Sequence, residues 1–100
     1  MKTAIELIQT ERERQVSAEG YTTAHDDTHA KGELAFCAAA YSYRAGEQSR
    51  YPGLNHDSPI AGWPFPDGWK PSGRIRNLVK AAALIVAEIE RLQRAGAQAS

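Results

Sequence analysis

The sequence predicts an all-α protein of three helices, with a long ordered loop between the second and the third. Apolar residues recur at helical spacing over 72–95, and capping residues and glycines bracket two further segments, 3–19 and 28–45. No segment shows the sustained alternation of β-branched residues that is typical of a strand. We expect the 100 residues to form one domain. Because so short a chain buries a modest core, we also expect a homo-oligomer.

The first helix, residues 3–19, has both a start and a stop signal. Thr3 and Glu6 fit a capping box, and Gly20 is a natural residue to follow a helix end. The centre of this helix is charged almost all round, which is typical of a surface helix. The alternative is that polar side chains of this segment turn inward to bind phosphate, namely Arg12, Arg14 or Gln15.

The second helix, residues 28–45, follows a polar loop at 21–27 and is expected to end at Gly46. Its alanine-rich face allows a neighbouring helix to approach closely. Cys37 is interpreted as a small buried hydrophobe, and as the single cysteine it excludes an internal disulfide. A helix that began as early as position 25 would place three candidate ligands on one face: His25, His29 and Glu33.

The loop at 46–71 concentrates proline, glycine and aromatic residues. Loops of this length are usually functional or disordered, and two tryptophans within seven residues argue against disorder. Two roles therefore stay open for Trp63, Phe65 and Trp69. They close the end of the core, or one of them stacks on a base or on a neighbouring subunit.

Residues 72–95 form the strongest predicted helix, with Ser72 as N-cap and Gly96 as the stop. Glu88 ends its apolar run, so we expect this carboxylate to be paired, protonated or bound to a ligand. Apolar residues at helical spacing are expected to form one wide buried stripe, made of Ile75, Leu78, Val79, Ala82, Ile85, Val86, Ile89 and Leu92.

Charge and hydropathy exclude several classes of partner. Twelve Lys and Arg balance twelve Asp and Glu, so the chain lacks the overall basic field that drives binding to long nucleic acids. No apolar run approaches the roughly 20 residues of a membrane span, and the first residues lack the apolar segment of a signal peptide. We therefore expect a cytoplasmic protein without a membrane partner.

Two sets of side chains are candidates for a functional site. Cations and tryptophans near the start of the last helix are typical of a nucleotide site, because helix N-terminal N–H groups and guanidinium groups bind phosphate. The ligand-binding set combines these residues, Trp63, Trp69, Lys70, Arg74, Arg76 and Lys80, with two arginines of the first helix, Arg12 and Arg14. Acidic and histidine side chains form a second set suited to Mg²⁺ or, alternatively, to helix capping. This metal set is His25, Asp26, Asp27, His29 and Glu33.

The motifs resemble those of a group of small phage and prophage proteins. The shared features are Glu-Arg-x-Arg-Gln, His-Asp-Asp-x-His, Gly-Glu-Leu-Ala, a Trp-Lys-Pro loop, and a closing Leu-Val-Lys-Ala-x-Ala-Leu-Ile-x-Ala-Glu-Ile-Glu-Arg-Leu. In this chain they lie at 11–15, 25–29, 32–35, 63–71 and 78–92. More distantly, their order is similar to that in MazG-like nucleoside triphosphate pyrophosphohydrolases, all-α oligomeric enzymes that hold Mg²⁺ with four carboxylates from two helices.

The MazG-like similarity implies catalytic roles for Glu33 and Glu88. The family has Glu-x-x-Glu pairs, whereas here Phe36 follows Glu33 by three residues and Arg91 follows Glu88 by three. We therefore favour a protein that binds and sequesters a nucleotide immune signal of the host. The alternatives are a Mg²⁺-dependent pyrophosphohydrolase and a structural or protein-interaction module. The nucleotide hypotheses drawn here from the sequence depend on Glu33, Glu88 and Arg74 facing one cavity.

Overall fold

A computed structural model describes residues 1–96, and over this range the protein is all-helical, as predicted. It has four helices rather than three: α1 Ala4–Glu19, α2 Thr23–Asp27, α3 Glu33–Arg50 and α4 Arg74–Arg94. None of the four is both long enough and apolar enough to cross a membrane.

Helix α1 begins and ends as the sequence predicts. The Thr3 hydroxyl accepts a hydrogen bond from the Glu6 N–H, and the Glu6 carboxylate accepts one from the Thr3 N–H at 2.9 Å. Gly20 adopts the left-handed conformation, φ 73°. A side chain there would be strained, so glycine fixes the end of the helix.

The segment predicted as a loop at 21–27 instead contains the short helix α2. The Thr22 hydroxyl accepts from the His25 N–H, and the Thr28 hydroxyl donates to the His25 carbonyl at 2.6 Å. Threonine and serine hydroxyls are the side chains that satisfy free backbone groups at a helix end. The loop prediction was wrong because the capping residues here enclose a helix of only five residues.

Helix α3 is displaced along the sequence from its predicted range, 28–45. It begins at Glu33 because Gly32 is left-handed, φ 84°, and breaks any continuity with α2. The candidate ligands at 25, 29 and 33 therefore do not share one helix. At the other end the helix runs through Gly46 to Arg50, where the ring of Pro52 disfavours a helical conformation for the preceding residue.

The core lies between α3 and α4, which make the most extensive helix–helix contact in the described part of the chain. Three aromatic residues of the loop before α4 pack against this core: Trp63, Phe65 and Trp69. This contact is the first of the two roles that the sequence left open for them. The buried cluster itself consists mainly of small residues: Leu34, Cys37, Ala38, Tyr41, Ala81, Leu84 and Ala87.

Most of the predicted buried stripe of α4 faces away from the core. Val79 is buried, Ala82 and Val86 are half-buried, and the other five residues are exposed. The side that faces the protein carries a different and partly polar set: Asn77, Lys80, Leu84, Ala87 and Arg91. The stripe prediction was wrong because periodicity identifies an apolar face without identifying which neighbour covers it.

The N-terminus of α4 is held by a side chain within the helix rather than by Ser72, the predicted N-cap. Gly73 occupies the cap position and makes no side-chain bond. Asn77, which is fully buried, accepts from the Ser72 N–H at 2.9 Å and donates to the Ser72 carbonyl and to Gln48 Oε1. Asn77 thus joins the loop, α3 and α4.

Replacing Asn77 by Ala is expected to lower the free energy of unfolding by about 1–3 kcal/mol, because the half-buried Ser72 and Gln48 lose the hydrogen bonds that they make to the buried Asn77 amide. Urea unfolding monitored by circular dichroism measures the change. The matched control is Gln93→Ala at an exposed site of the same helix, which should change stability by less than about 0.5 kcal/mol. A similar loss in both variants would contradict the role assigned to Asn77.

Candidate ligand-binding cavity

A cavity of about 300 Å³ opens between α1, α3, α4 and the loop that precedes α4. This volume lies at the lower end of the range for small-molecule sites, about 300–1,000 Å³. Its lining has two chemically different parts. We call one the aromatic wall, formed by Tyr21, His25, His29, Phe65, Trp63 and Tyr41, and the other the polar floor, formed by Glu11, Arg14, Gln15 and Glu19.

The aromatic wall is a continuous series of ring contacts. Tyr21 stacks on His25 with their centroids 5.1 Å apart, and His25 meets His29 edge-on at 4.8 Å. The series continues through Phe65 and Trp63 to Tyr41, with centroid distances of 5.1, 6.2 and 5.7 Å. Edge-to-face and offset stacked arrangements at these distances are the favourable ones for aromatic pairs. The wall is therefore preformed.

Glu11 is the centre of the polar floor, and only 1% of its surface is exposed. Its carboxylate accepts two hydrogen bonds from Arg14, at 2.8 and 3.0 Å, and one from Gln15 at 3.2 Å. It also forms an ion pair with Arg76 at 2.5 Å. Burial acts to raise the pKa of Glu11, but its bonds to Arg14 and Arg76 outweigh burial, and the pKa lies below its ordinary value. The floor thus holds an ionised carboxylate in a fixed orientation.

Gln15 presents an unpaired acceptor in the buried floor. Its Nε2 donates to Glu11, which as an ionised carboxylate only accepts hydrogen bonds, so the amide orientation is determined. Gln15 Oε1 is buried and has no hydrogen-bond partner among residues 1–96. Gln15 lines the cavity, but its Oε1 is buried rather than exposed in the lining, so a ligand N–H or O–H would reach this unpaired acceptor when the side chain turns toward the cavity.

Three cations line the cavity and differ in their partners. Arg14 lies between Glu11 and Glu19, and Lys70 pairs with Glu19 at 3.1 Å. Lys80 is buried and donates to the Lys70 carbonyl and the Ser72 hydroxyl, with no carboxylate in contact within the described range. Burial, assisted by the charge of the neighbouring Arg76, lowers the pKa of Lys80.

The structure brings half of the predicted ligand-binding set to the cavity: Arg14, Trp63, Lys70 and Lys80. The other four lie elsewhere. Arg12 pairs with Asp26, Trp69 stacks on Tyr41 behind the wall, Arg74 extends toward Ser49, and Arg76 contacts the cavity lining only through Glu11.

The predicted metal set does not gather around one point. Within the part of the chain that the structure describes, no three His, Cys, Asp or Glu side chains are placed to hold a metal ion. Asp26 pairs with Arg12, and Asp27 pairs with Arg94 at 2.8 Å. His29 lies 3.7 Å from Glu33 but otherwise contributes to the aromatic wall.

The expected convergence of Glu33, Glu88 and Arg74 on one cavity was wrong, because none of the three lines it. The nucleotide site predicted around these residues is therefore not formed, and the cavity is lined by a different set of side chains. The Glu33 carboxylate accepts from the Lys31 N–H at 2.7 Å. Glu88 accepts two bonds from Arg91, at 2.6 and 3.2 Å, which is the paired state expected for a carboxylate in an apolar run.

Glu11, Glu19 and Tyr41 line the cavity but were not predicted to do so, whereas Gln15 was among the side chains of this helix that the alternative interpretation turned inward, toward phosphate. Glu11, Gln15 and Glu19 recur at i, i+4 and i+8, a spacing that places them on one face of α1 and was a usable signal. No sequence signal identified Tyr41. Cys37 also lines the cavity, and burial raises the pKa of its thiol to about 12. The thiol is therefore protonated at neutral pH and is not a nucleophile.

No family model, curated protein or solved structure matches this chain. What the cavity can bind is therefore inferred from its own residues and their geometry.

Replacing Glu11 by Gln is expected to lower the free energy of unfolding at pH 7 by about 3 kcal/mol, because two arginines lose their shared buried carboxylate. The folded-state pKa of Glu11 lies below 4.5. Its stabilisation is therefore complete above that pH and is lost as the pH falls through the lowered pKa. The deficit of the variant should accordingly shrink between pH 7 and pH 3 in urea unfolding experiments.

Glu13→Gln is the control for this comparison, because Glu13 is exposed on the same helix. It should leave both the stability and its pH dependence nearly unchanged. A Glu11→Gln deficit of the same size at pH 7 and pH 3 would show that packing, not charge, accounts for it.

Proposed function

We propose that this protein binds a nucleotide-class ligand in the cavity and retains it without hydrolysis. The observation that carries the proposal is that one cavity of about 300 Å³ is lined both by a preformed aromatic wall and by Gln15, whose buried Oε1 has no partner among residues 1–96. An aromatic ligand with N–H groups along one edge satisfies both parts at once. Nucleobases with amino or imino groups have this character.

The wall supplies the stacking surface for such a base. Stacking of a base on an aromatic side chain contributes about 1–3 kcal/mol and depends little on which base is bound. Gln15 Oε1 adds a directional contact, because it accepts only from a donor on the base edge. The wall therefore supports affinity, and the floor supports selection among bases.

The cations supply contacts for a phosphate group at the opening. Lys70 lines the cavity while its side chain is 63% exposed, which places its amine at the rim. Arg14 and Lys70 share Glu19 as a partner, and this carboxylate can yield its place to a ligand phosphate. Lys80, which no carboxylate contacts within 1–96, adds positive charge at the inner end.

Retention is favoured over hydrolysis by the pairing of the acidic side chains. Asp26, Asp27 and Glu88 each bind an arginine, so their charges are already neutralised by the chain itself. Mg²⁺ requires oxygen ligands grouped around one point, and the described residues do not group them. The biological role that we propose for such retention is sequestration of a nucleotide immune signal of the host.

Titration with a panel of nucleotides tests the proposal. The panel contains nucleosides, mono-, di- and triphosphates and cyclic dinucleotides, each with and without Mg²⁺. We expect at least one class to bind and to raise the free energy of unfolding, by about 2.7 kcal/mol at a free concentration 100 times Kd. Mass spectrometry should recover this ligand intact. Release of pyrophosphate would favour the MazG-like alternative, and no binding by any member would overturn the proposal.

Two substitutions separate the contributions of the base and the phosphate. Gln15→Met keeps the side-chain length but removes the acceptor, and should weaken both nucleoside and nucleotide by roughly 2- to 12-fold. Lys70→Met should weaken the nucleotide alone. The matched controls are Gln9→Met and Lys31→Met, at exposed sites that do not line the cavity. Calorimetric titration measures each Kd, and equal effects in test and control variants would contradict the assigned contacts.

A further inference from the structure

The face of α4 that points away from the core carries a stripe of aliphatic side chains. We call it the outer stripe, and it consists of Ile75, Leu78, Ala82, Ile85, Ile89 and Leu92. Apart from the half-buried Ala82, its members are between 39% and 72% exposed. The inward residues Asn77, Lys80, Leu84, Ala87 and Arg91 are buried instead. At about 100° per residue the two stripes lie on nearly opposite sides of the helix.

The inward side of α4 is thus the more polar one, and the outer stripe is apolar from Ile75 to Leu92. Monomeric proteins rarely leave a continuous apolar patch of this kind in water. The stripe extends over 18 residues, from Ile75 to Leu92, which is about 26 Å along the helix axis. The core is rich in alanine, and many of the large aliphatic side chains of the chain are exposed instead.

The spacing of the outer stripe specifies the shape of what covers it. Its members are separated alternately by three and four residues, which is the heptad pattern of a coiled-coil seam. Such a seam is filled by side chains of another helix with the same period. Helix α4 of a second copy of this chain has that period and the same exposed face.

We propose that the outer stripe is a homodimer interface in which α4 packs antiparallel against α4 of a second copy around a two-fold axis. This inference does not depend on the proposed ligand. Two observations select the orientation, one from packing and one from charge.

Packing favours the antiparallel arrangement because it pairs large residues with small ones at the centre. Centred on the stripe, it places Ala82 opposite Ile85 of the other copy, Leu78 opposite Ile89, and Ile75 opposite Leu92. A parallel arrangement in register would place Ala82 opposite Ala82 and leave a gap in the middle of the seam. Interfaces, like cores, are stabilised by filling such gaps.

Charge favours the same arrangement. Arg74 is exposed in the first turn of α4, where the helix dipole is also positive. Parallel helices would place the two Arg74 side chains and the two positive helix ends together. Antiparallel helices separate the two Arg74 residues by about 28 Å along the axis. Each Arg74 then lies near the negative C-terminal end of the partner helix. The arginines of the last turn there are already paired with acids of their own chain, Arg91 with Glu88 and Arg94 with Asp27.

Sedimentation equilibrium on the full chain is the first test. We expect a species of twice 10.9 kDa at micromolar concentrations. Ile85→Glu combined with Ile89→Glu should raise the dimer dissociation constant at least 100-fold while circular dichroism stays helical. The matched control is Tyr43→Glu, which places the same charge at an exposed ring of α3 and should leave the dimer intact. A wild-type monomer throughout, or a dimer that survives the paired substitution, would overturn the proposal.

Disulfide trapping tests the orientation in proteins with an otherwise intact seam, and therefore does not depend on how the glutamate variants fold. In a Cys37→Ala background, Ile75→Cys and Leu92→Cys should each form little covalent dimer alone and should form a crosslinked heterodimer when mixed under oxidation. Self-crosslinking of Ile75→Cys would show parallel helices, and absence of any link would show that the stripe is not the interface. Either result would overturn the arrangement.

Discussion

The buried carboxylate of Glu11 organises the side of the protein on which the cavity lies. Through Arg76 it ties α1 to the start of α4, and through Arg14 and Gln15 it fixes the polar floor. A carboxylate in this position is tolerable only because two guanidinium groups neutralise it, since an isolated buried charge is strongly unfavourable. The charged centre of α1, which looks like a solvated surface in the sequence, is therefore an internal network that joins helices and shapes a site.

The parts of the fold that the sequence predicts well are those that depend on neighbouring residues. The capping box at Thr3 and the left-handed Gly20 involve local backbone groups, and the structure has both. Helix α3 was misplaced because Gly46 is tolerated inside it, whereas Pro52 and Gly32, whose effects are also local, set its ends. The side of α4 that faces the core was wrong for a different reason. Periodicity describes one helix, and burial depends on where the other helices lie.

The candidate site also combines features that the sequence predicts with contacts that only the packing of the helices determines. The sequence predicted that cations and tryptophans would form a ligand-binding site, and four of the eight predicted residues do line the cavity. Arg12 and Arg76 were assigned to phosphate, yet they pair with Asp26 and Glu11, acids that lie far from them in sequence. A sequence of balanced charge contains many such possible pairs, and only the packing of α1 against α4 and α2 selects among them. The role of Tyr41 likewise depends on a loop that returns to it more than twenty residues later.

The two tryptophans lie on different sides of the same aromatic cluster. Trp63 lines the cavity, while Trp69 lies behind it, stacked on Tyr41 with Arg44 over its ring. Indole fluorescence is sensitive to what touches the ring, so the emission of Trp63 responds to the contents of the cavity. Trp69 meets Trp63 edge-on with the ring centroids 5.0 Å apart, so the two indoles emit as a coupled pair. The protein thus contains an intrinsic optical reporter of occupancy.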